Sequence, residues 1–89
     1  MSQTIDFKSY QENYRKEYIG IKNNTLRKVD DKDIRKEILD KYIHGEVNNL
    51  FIRIINTDTQ EEFMRKVRDV TLWDGWYLIT WDTEGLIRI

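Results

Sequence analysis

The dipeptide Asp74-Gly75 constrains this chain more than any other feature. It separates Val70-Thr71-Leu72-Trp73 from Trp76-Tyr77-Leu78-Ile79-Thr80-Trp81, two runs rich in β-branched and aromatic residues. Asp-Gly between such runs predicts a two-residue hairpin of type I′. That turn needs positive φ at both central positions, which glycine adopts freely and Asp tolerates. Asp82-Thr83-Glu84-Gly85 predicts a second turn, and Leu86-Ile87-Arg88-Ile89 a returning strand. Upstream, Thr59-Gln60-Glu61-Glu62 fits a helix capping box. Alternation instead predicts a long strand over residues 63–73, with Phe63, Val67, Thr71 and Trp73 on one side. Strand is the expectation, because it completes a three-strand meander.

The first half reads differently. Thr4-Ile5-Asp6-Phe7-Lys8 alternates as a half-buried strand does. Ser9 and Glu12 have the spacing of a capping box, and Tyr10, Tyr14 and Tyr18 fall on one helical face, expected to be core. Gly20 is a suitable stop. Thr25-Leu26-Arg27-Lys28-Val29 predicts a second strand. A second helix follows, capped by Asp30 or Asp31, with Ile34, Ile38, Leu39 and Tyr42 as its apolar stripe and His44-Gly45 as its end. Lys41 and His44 suit its C-terminal dipole. Leu50-Phe51-Ile52-Arg53-Ile54-Ile55 predicts a strand buried on both faces, and Asn56-Thr57-Asp58-Thr59 a turn. The expected fold is α+β: a small β-barrel or strongly curved, mostly antiparallel sheet of about six strands with two helices, in one domain over residues 1–89.

Composition removes several function classes. No cysteine excludes a disulfide scaffold, a thiol nucleophile and any Cys-ligated metal. A single histidine excludes a multi-His metal site, so no metal or cofactor is expected. No apolar run approaches the ~18 residues of a membrane helix, and the first residues lack the apolar region of a signal peptide. The expected setting is the cytoplasm, without a membrane. The formal net charge is −1, but residues 8–36 hold nine basic and five acidic residues. A basic half points to an anionic partner.

The sharpest local pattern is Gly20-Ile21-Lys22-Asn23-Asn24-Thr25-Leu26-Arg27. On a strand, Thr25 and Arg27 point to the same face, and Lys22 in the preceding turn can reach it. An ammonium, a hydroxyl and a guanidinium would then converge, a set of donors suited to phosphate, carboxylate or a base edge. Arg27 could instead pair with Asp69 across strands. Trp73, Trp76 and Trp81 suit either cross-strand packing or a base-stacking platform.

The helix, the G-x-K turn and the T-x-R strand resemble the leading segment of ASCH domains of the PUA-like superfamily, in which G-x-K-x-x-[ET]-x-R enters a strand. The order strand, helix, turn, strand, helix and β-meander matches that layout over most of the chain. The chain is also similar to small phage and prophage proteins of low-GC Gram-positive bacteria, which carry N-N-T-x-R and a later F-x-R-x-[IV]-x-D-[IV]. Here these read Asn23-Asn24-Thr25-Leu26-Arg27 and Phe63-Met64-Arg65-Lys66-Val67-Arg68-Asp69-Val70. The resemblance implies a binding cleft beside Lys22, Asn24, Thr25, Arg27 and Arg65, with RNA, single-stranded DNA or a nucleotide as partner. It also implies an alternative, since some ASCH proteins are amidohydrolases on acylated cytidine. Lys22 and Thr25 match the catalytic Lys and Thr of those enzymes, and none of Glu61, Glu62 and Glu84 is marked as the later Glu. A third alternative is a phage accessory protein that binds a host protein.

Overall fold

In the computed structural model, which describes residues 2–83, the chain runs β1 (Ser2–Ser9), α1 (Gln11–Tyr18), β2 (Asn24–Lys28), α2 (Ile34–Ile43), β3 (Asn49–Asn56), β4 (Glu62–Trp73) and β5 (Trp76–Trp81). The fold is α+β, with one five-stranded sheet in the order β1-β3-β4-β5-β2. β1 pairs with β3 in parallel, and every other neighbouring pair is antiparallel. Among the described residues five strands stand where about six are expected of the chain. The expected strand at 86–89 lies outside the described residues.

The hairpin forms as its sequence predicts. Asp74 has φ 51° and Gly75 φ 80°, the paired positive values of a type I′ turn. It joins β4 to β5 with Trp73 opposite Trp76. Residues 62–73 are strand throughout, and the capping-box alternative for Thr59 does not form. The long strand changes face midway, however. A bulge between Val67 and Asp69 inserts an extra residue. A bulge shifts every later side chain to the other face. Phe63, Val67 and Val70 are therefore buried together, while Thr71 and Trp73 are exposed.

β3 shows a clean period of two: Leu50, Ile52, Ile54 and Asn56 are buried, and the residues between them half-buried. It is not covered on both faces as expected, because both helices lie on one side of the sheet. Ile5, Phe7, Ile52, Ile54, Phe63, Val67, Tyr77, Ile79 and Trp81 form the inner face with Tyr14 of α1 and Leu39 of α2. Ile38 and Tyr42 pack against its margin. Ile34, expected in the apolar stripe, is 65% exposed. It is the first residue of the helix. The cap of α2 is Asp33, whose side chain accepts from the Arg35 amide, rather than Asp30 or Asp31. Among the described residues no helix is long and apolar enough to cross a membrane.

Candidate functional site

The local structure around α1 starts from the glycine. Gly20 takes φ 90°, which reverses the chain after the helix, and the Lys22 amide donates back to the Lys16 carbonyl at 3.1 Å. Lys22 is thereby folded over the last turn of α1. Its Nζ lies 3.7 Å from Oε2 of Glu17. Glu17 is fully buried. Its Oε1 accepts from Ser9 Oγ at 2.9 Å, and its Oε2 has no hydrogen-bond partner among the described residues. A buried carboxylate is tolerated only with such compensation.

Arg27 joins the same cluster from β2. Its Nε donates to Thr25 Oγ1 at 2.9 Å, and its Nη2 donates to the Lys8 carbonyl at 2.9 Å and to Ser9 Oγ at 3.3 Å. Lys22, Glu17, Ser9, Arg27 and Thr25 thus form one continuous polar chain. Burial lowers the Arg27 pKa from its ordinary value, and Glu17 opposes the shift.

The link to Lys8 has an architectural consequence. β1 and β2 are the two edges of the sheet, so a side chain of one edge bonds the backbone of the other. The sheet is curled into a half-barrel and guanidinium groups close its seam. Arg35 of α2 adds a second closure, with Nη1 donating to the Asp6 carbonyl at 2.7 Å. Both guanidinium carbons stand over the Phe7 ring, Arg27 at 4.9 Å and Arg35 at 4.4 Å from its centroid. Unpaired strand edges recruit other chains, and here two arginines occupy the outward carbonyls of β1.

A cleft of about 440 Å³ opens along this seam, lined by Asp6, Phe7, Lys8, Arg27, Lys28, Arg35 and Ile55. Four of these seven residues are cationic. The carboxylate of Asp6 stands 3.7 Å from Arg53, and Arg35 is held by Asp33 at 2.6 Å. Lys8 and Lys28 make no ion pair among the described residues. Lys28 leans on Trp76, with Nζ 6.0 Å from the ring centroid.

The residues expected at the site divide into two groups. Lys22, Thr25 and Arg27 converge, through Glu17 and Ser9. Asn24 does not join them: it lies one residue from Thr25, on the opposite face by strand alternation, and its Nδ2 donates to Asn23 Oδ1. Arg65 is elsewhere, with its guanidinium 4.6 Å from the Phe63 ring centroid and 6.0 Å from that of Tyr18. Arg27 does not pair with Asp69, whose carboxylate accepts from Thr71 on the outer face. Ser9 is no helix cap either. Tyr10 holds that position, without a side-chain hydrogen bond, because Ser9 is committed to Glu17.

Glu17 is the residue that sequence reasoning missed. The tyrosine stripe puts Tyr18 inside, yet Tyr18 is 53% and Tyr10 75% exposed, and Tyr14 alone of the three is buried. The buried face of α1 runs through Tyr14 and Glu17, at i and i+3. The available signal was Ser9 before the helix and Lys22 just after it, both able to reach a carboxylate on that face.

A second charged cluster lies under α2. Tyr77 Oη donates to Asp40 Oδ1, and Lys36 Nζ donates to Asp40 Oδ2 at 3.0 Å and to Tyr77 Oη at 3.1 Å. The Tyr77 hydrogen bond, seconded by Lys36, lowers the Asp40 pKa, while burial raises that of Tyr77. Tyr77 is held as a neutral phenol, which makes the trio a clamp between α2 and β5. Among the described residues no group of three or more His, Asp or Glu side chains is placed to hold a metal ion. Comparison of the chain with family models, with curated proteins and with solved structures gives no match.

Proposed function

We propose that this domain binds a phosphate-bearing ligand, a nucleic acid or a nucleotide, in the seam cleft between β1 and β2. The observation that carries this is the convergence of Lys8, Arg27, Lys28 and Arg35 on one cleft in a chain of net charge −1. Phosphate contacts from such cations give salt-dependent affinity. Arg27 and Arg35 are fixed in place by backbone carbonyls, so little side-chain entropy is lost when an anion arrives. Lys8 and Lys28 make no ion pair among the described residues and add positive charge to the cleft.

The curled sheet and the G-x-K-x-x-T-x-R segment at its seam also favour membership of the ASCH/PUA-like domains. The amidohydrolase reading draws less support. The Thr25 hydroxyl is buried and accepts from Arg27 Nε, so a substrate has no route to it, and Lys22 faces Glu17. Lys22, Glu17 and Thr25 are better understood as the support that positions Arg27.

Titration of the domain with short single-stranded RNA, single-stranded DNA and nucleotides, followed by tryptophan fluorescence, tests the proposal. Binding should weaken with added salt, and the double variant K8E/K28E should lose about tenfold or more in affinity with a shallower salt slope. Absence of binding to any of the three at low salt would overturn it.

A further inference from the structure

Among the described residues the outer face of the sheet is bare of helices, and the strand register shows what it carries. Across β2, β5 and β4, one row reads Lys28, Trp76, Trp73, the next Leu26, Leu78, Thr71, and the third Asn24, Thr80, Asp69. Trp73 is 71% exposed, and Trp76, Leu26 and Leu78 are also open to solvent. Trp73 and Trp76 stand directly opposite each other on neighbouring strands, and both indoles are open to solvent.

This surface is continuous with the cleft. Lys28 lines the cleft and also stands over the Trp76 ring. Outward from the seam along this row stand Lys28, Trp76 and Trp73, with Lys8 on the opposite lip of the cleft. The order is cations first and aromatic rings after, without a carboxylate in the Lys28-Trp76-Trp73 row. Asp69 and Asp74 lie beyond it, in the far row and at the hairpin tip, and Asp30 and Asp31 line a second pocket with Lys28.

Resting on the cleft reading above, we infer that the ligand is a single-stranded polynucleotide whose backbone enters the seam cleft and whose next unpaired bases stack on Trp76 and Trp73. Stacking on aromatic side chains requires a free base face, and a positively charged groove that leads onto such rings is how single strands are held without sequence readout. A duplex buries its base faces and cannot use the indoles. A lone phosphate compound would use the cleft alone.

The test compares three probes, an eight-nucleotide single strand of uridylate, a duplex of equal length and inorganic pyrophosphate, on wild-type protein and on W73A, W73Y, W76A and K8E. Trp73 is largely exposed, so W73A folds, as thermal melting verifies. W73A and W76A should each weaken binding of the single strand by about fivefold or more, with pyrophosphate unchanged and W73Y close to wild type. K8E should weaken both. Unchanged single-strand binding in W73A and W76A, or duplex binding as tight as single-strand binding, overturns the track while leaving the cleft reading intact. Failure of both the single strand and pyrophosphate to bind wild-type protein overturns the two together. A dimer dissolved by W73A, with single-strand binding unaffected, would assign the face to a second copy and also overturn the track.

Discussion

Each helix is fastened to the sheet by a carboxylate set between a lysine and a hydroxyl, but water reaches the two very differently. Under α1, Glu17 is fully buried, with Ser9 on one oxygen and Lys22 near the other. Under α2, the Asp40 side chain is 35% exposed beside Lys36 and Tyr77. α2 also inserts the fully buried Leu39 into the core, whereas α1 contributes Tyr14 and little else that is apolar. The difference teaches where charge is indispensable. The α1 cluster lies at the seam, where side chains rather than a backbone ladder join the sheet edges, and it fixes Arg27 of the proposed cleft. The α2 cluster reinforces a helix that hydrophobic burial already holds.

Breaking the buried cluster should have the largest effect. Glu17→Ala removes the acceptor of Ser9 and the carboxylate that faces Lys22, leaves a cavity under α1, and should cost about 3–5 kcal/mol, which in a small domain approaches the whole stability. Leu39→Ala should cost about 2–5 kcal/mol through lost burial and a cavity. Urea melts of the two variants test whether α1 depends on charge and α2 on packing; a loss below about 1 kcal/mol for Glu17→Ala would erase the contrast.

Asp40→Asn should cost about 1 kcal/mol, since it weakens hydrogen bonds that water partly replaces. Its pH dependence sharpens the comparison. The folded pKa of Asp40 lies below the usual value, chiefly through the Tyr77 hydrogen bond, and that of Asp33 is lowered by Arg35. Lowered carboxylate values contribute stability above about pH 4 that is lost as pH falls through the folded value. Acid unfolding of Asp40→Asn should therefore show a shallower limb than wild type. Lys8→Glu should change stability by less than about 0.5 kcal/mol, because Lys8 is exposed and its contribution is to the cleft. A larger loss would mean that Lys8 serves the fold.

Local rules carried much of the architecture. Asp74-Gly75 with its flanking β-branched and aromatic residues specified the hairpin, and the β-branched run Leu50 to Ile55 specified β3, though not that only one of its faces is covered. Gly20 marked the end of α1. Three features escaped because they depend on contacts distant in sequence. The bulge at Val67 to Asp69 inverts the faces of Thr71 and Trp73, and nothing in that run announces it. The parallel pairing of β1 with β3 spans the intervening α1, β2 and α2. The choice between Glu17 and Tyr18 as the inward residue of α1 was decided by Ser9, Lys22 and Arg27, which make a buried carboxylate tolerable where propensity alone favours the tyrosine. That Thr25 and Arg27 share a face was legible from the period of two, whereas Glu17, which links Lys22 to them, was not. The partners Lys8, Lys28 and Arg35 were not, since they meet only when the sheet edges curl together.

The central claim is that the seam between β1 and β2 is an anion-binding cleft. Its most direct test is a two-dimensional NMR titration with a short single-stranded oligonucleotide, following backbone amides, the side-chain Nε–H groups of Arg27 and Arg35 and the indole N–H groups. Shifts concentrated at Phe7, Lys8, Arg27, Lys28, Arg35 and the Trp76 indole, reduced by added salt, are the predicted result. Shifts that map instead to the outer surface of α2, with the Arg27 and Arg35 signals unmoved, would contradict it.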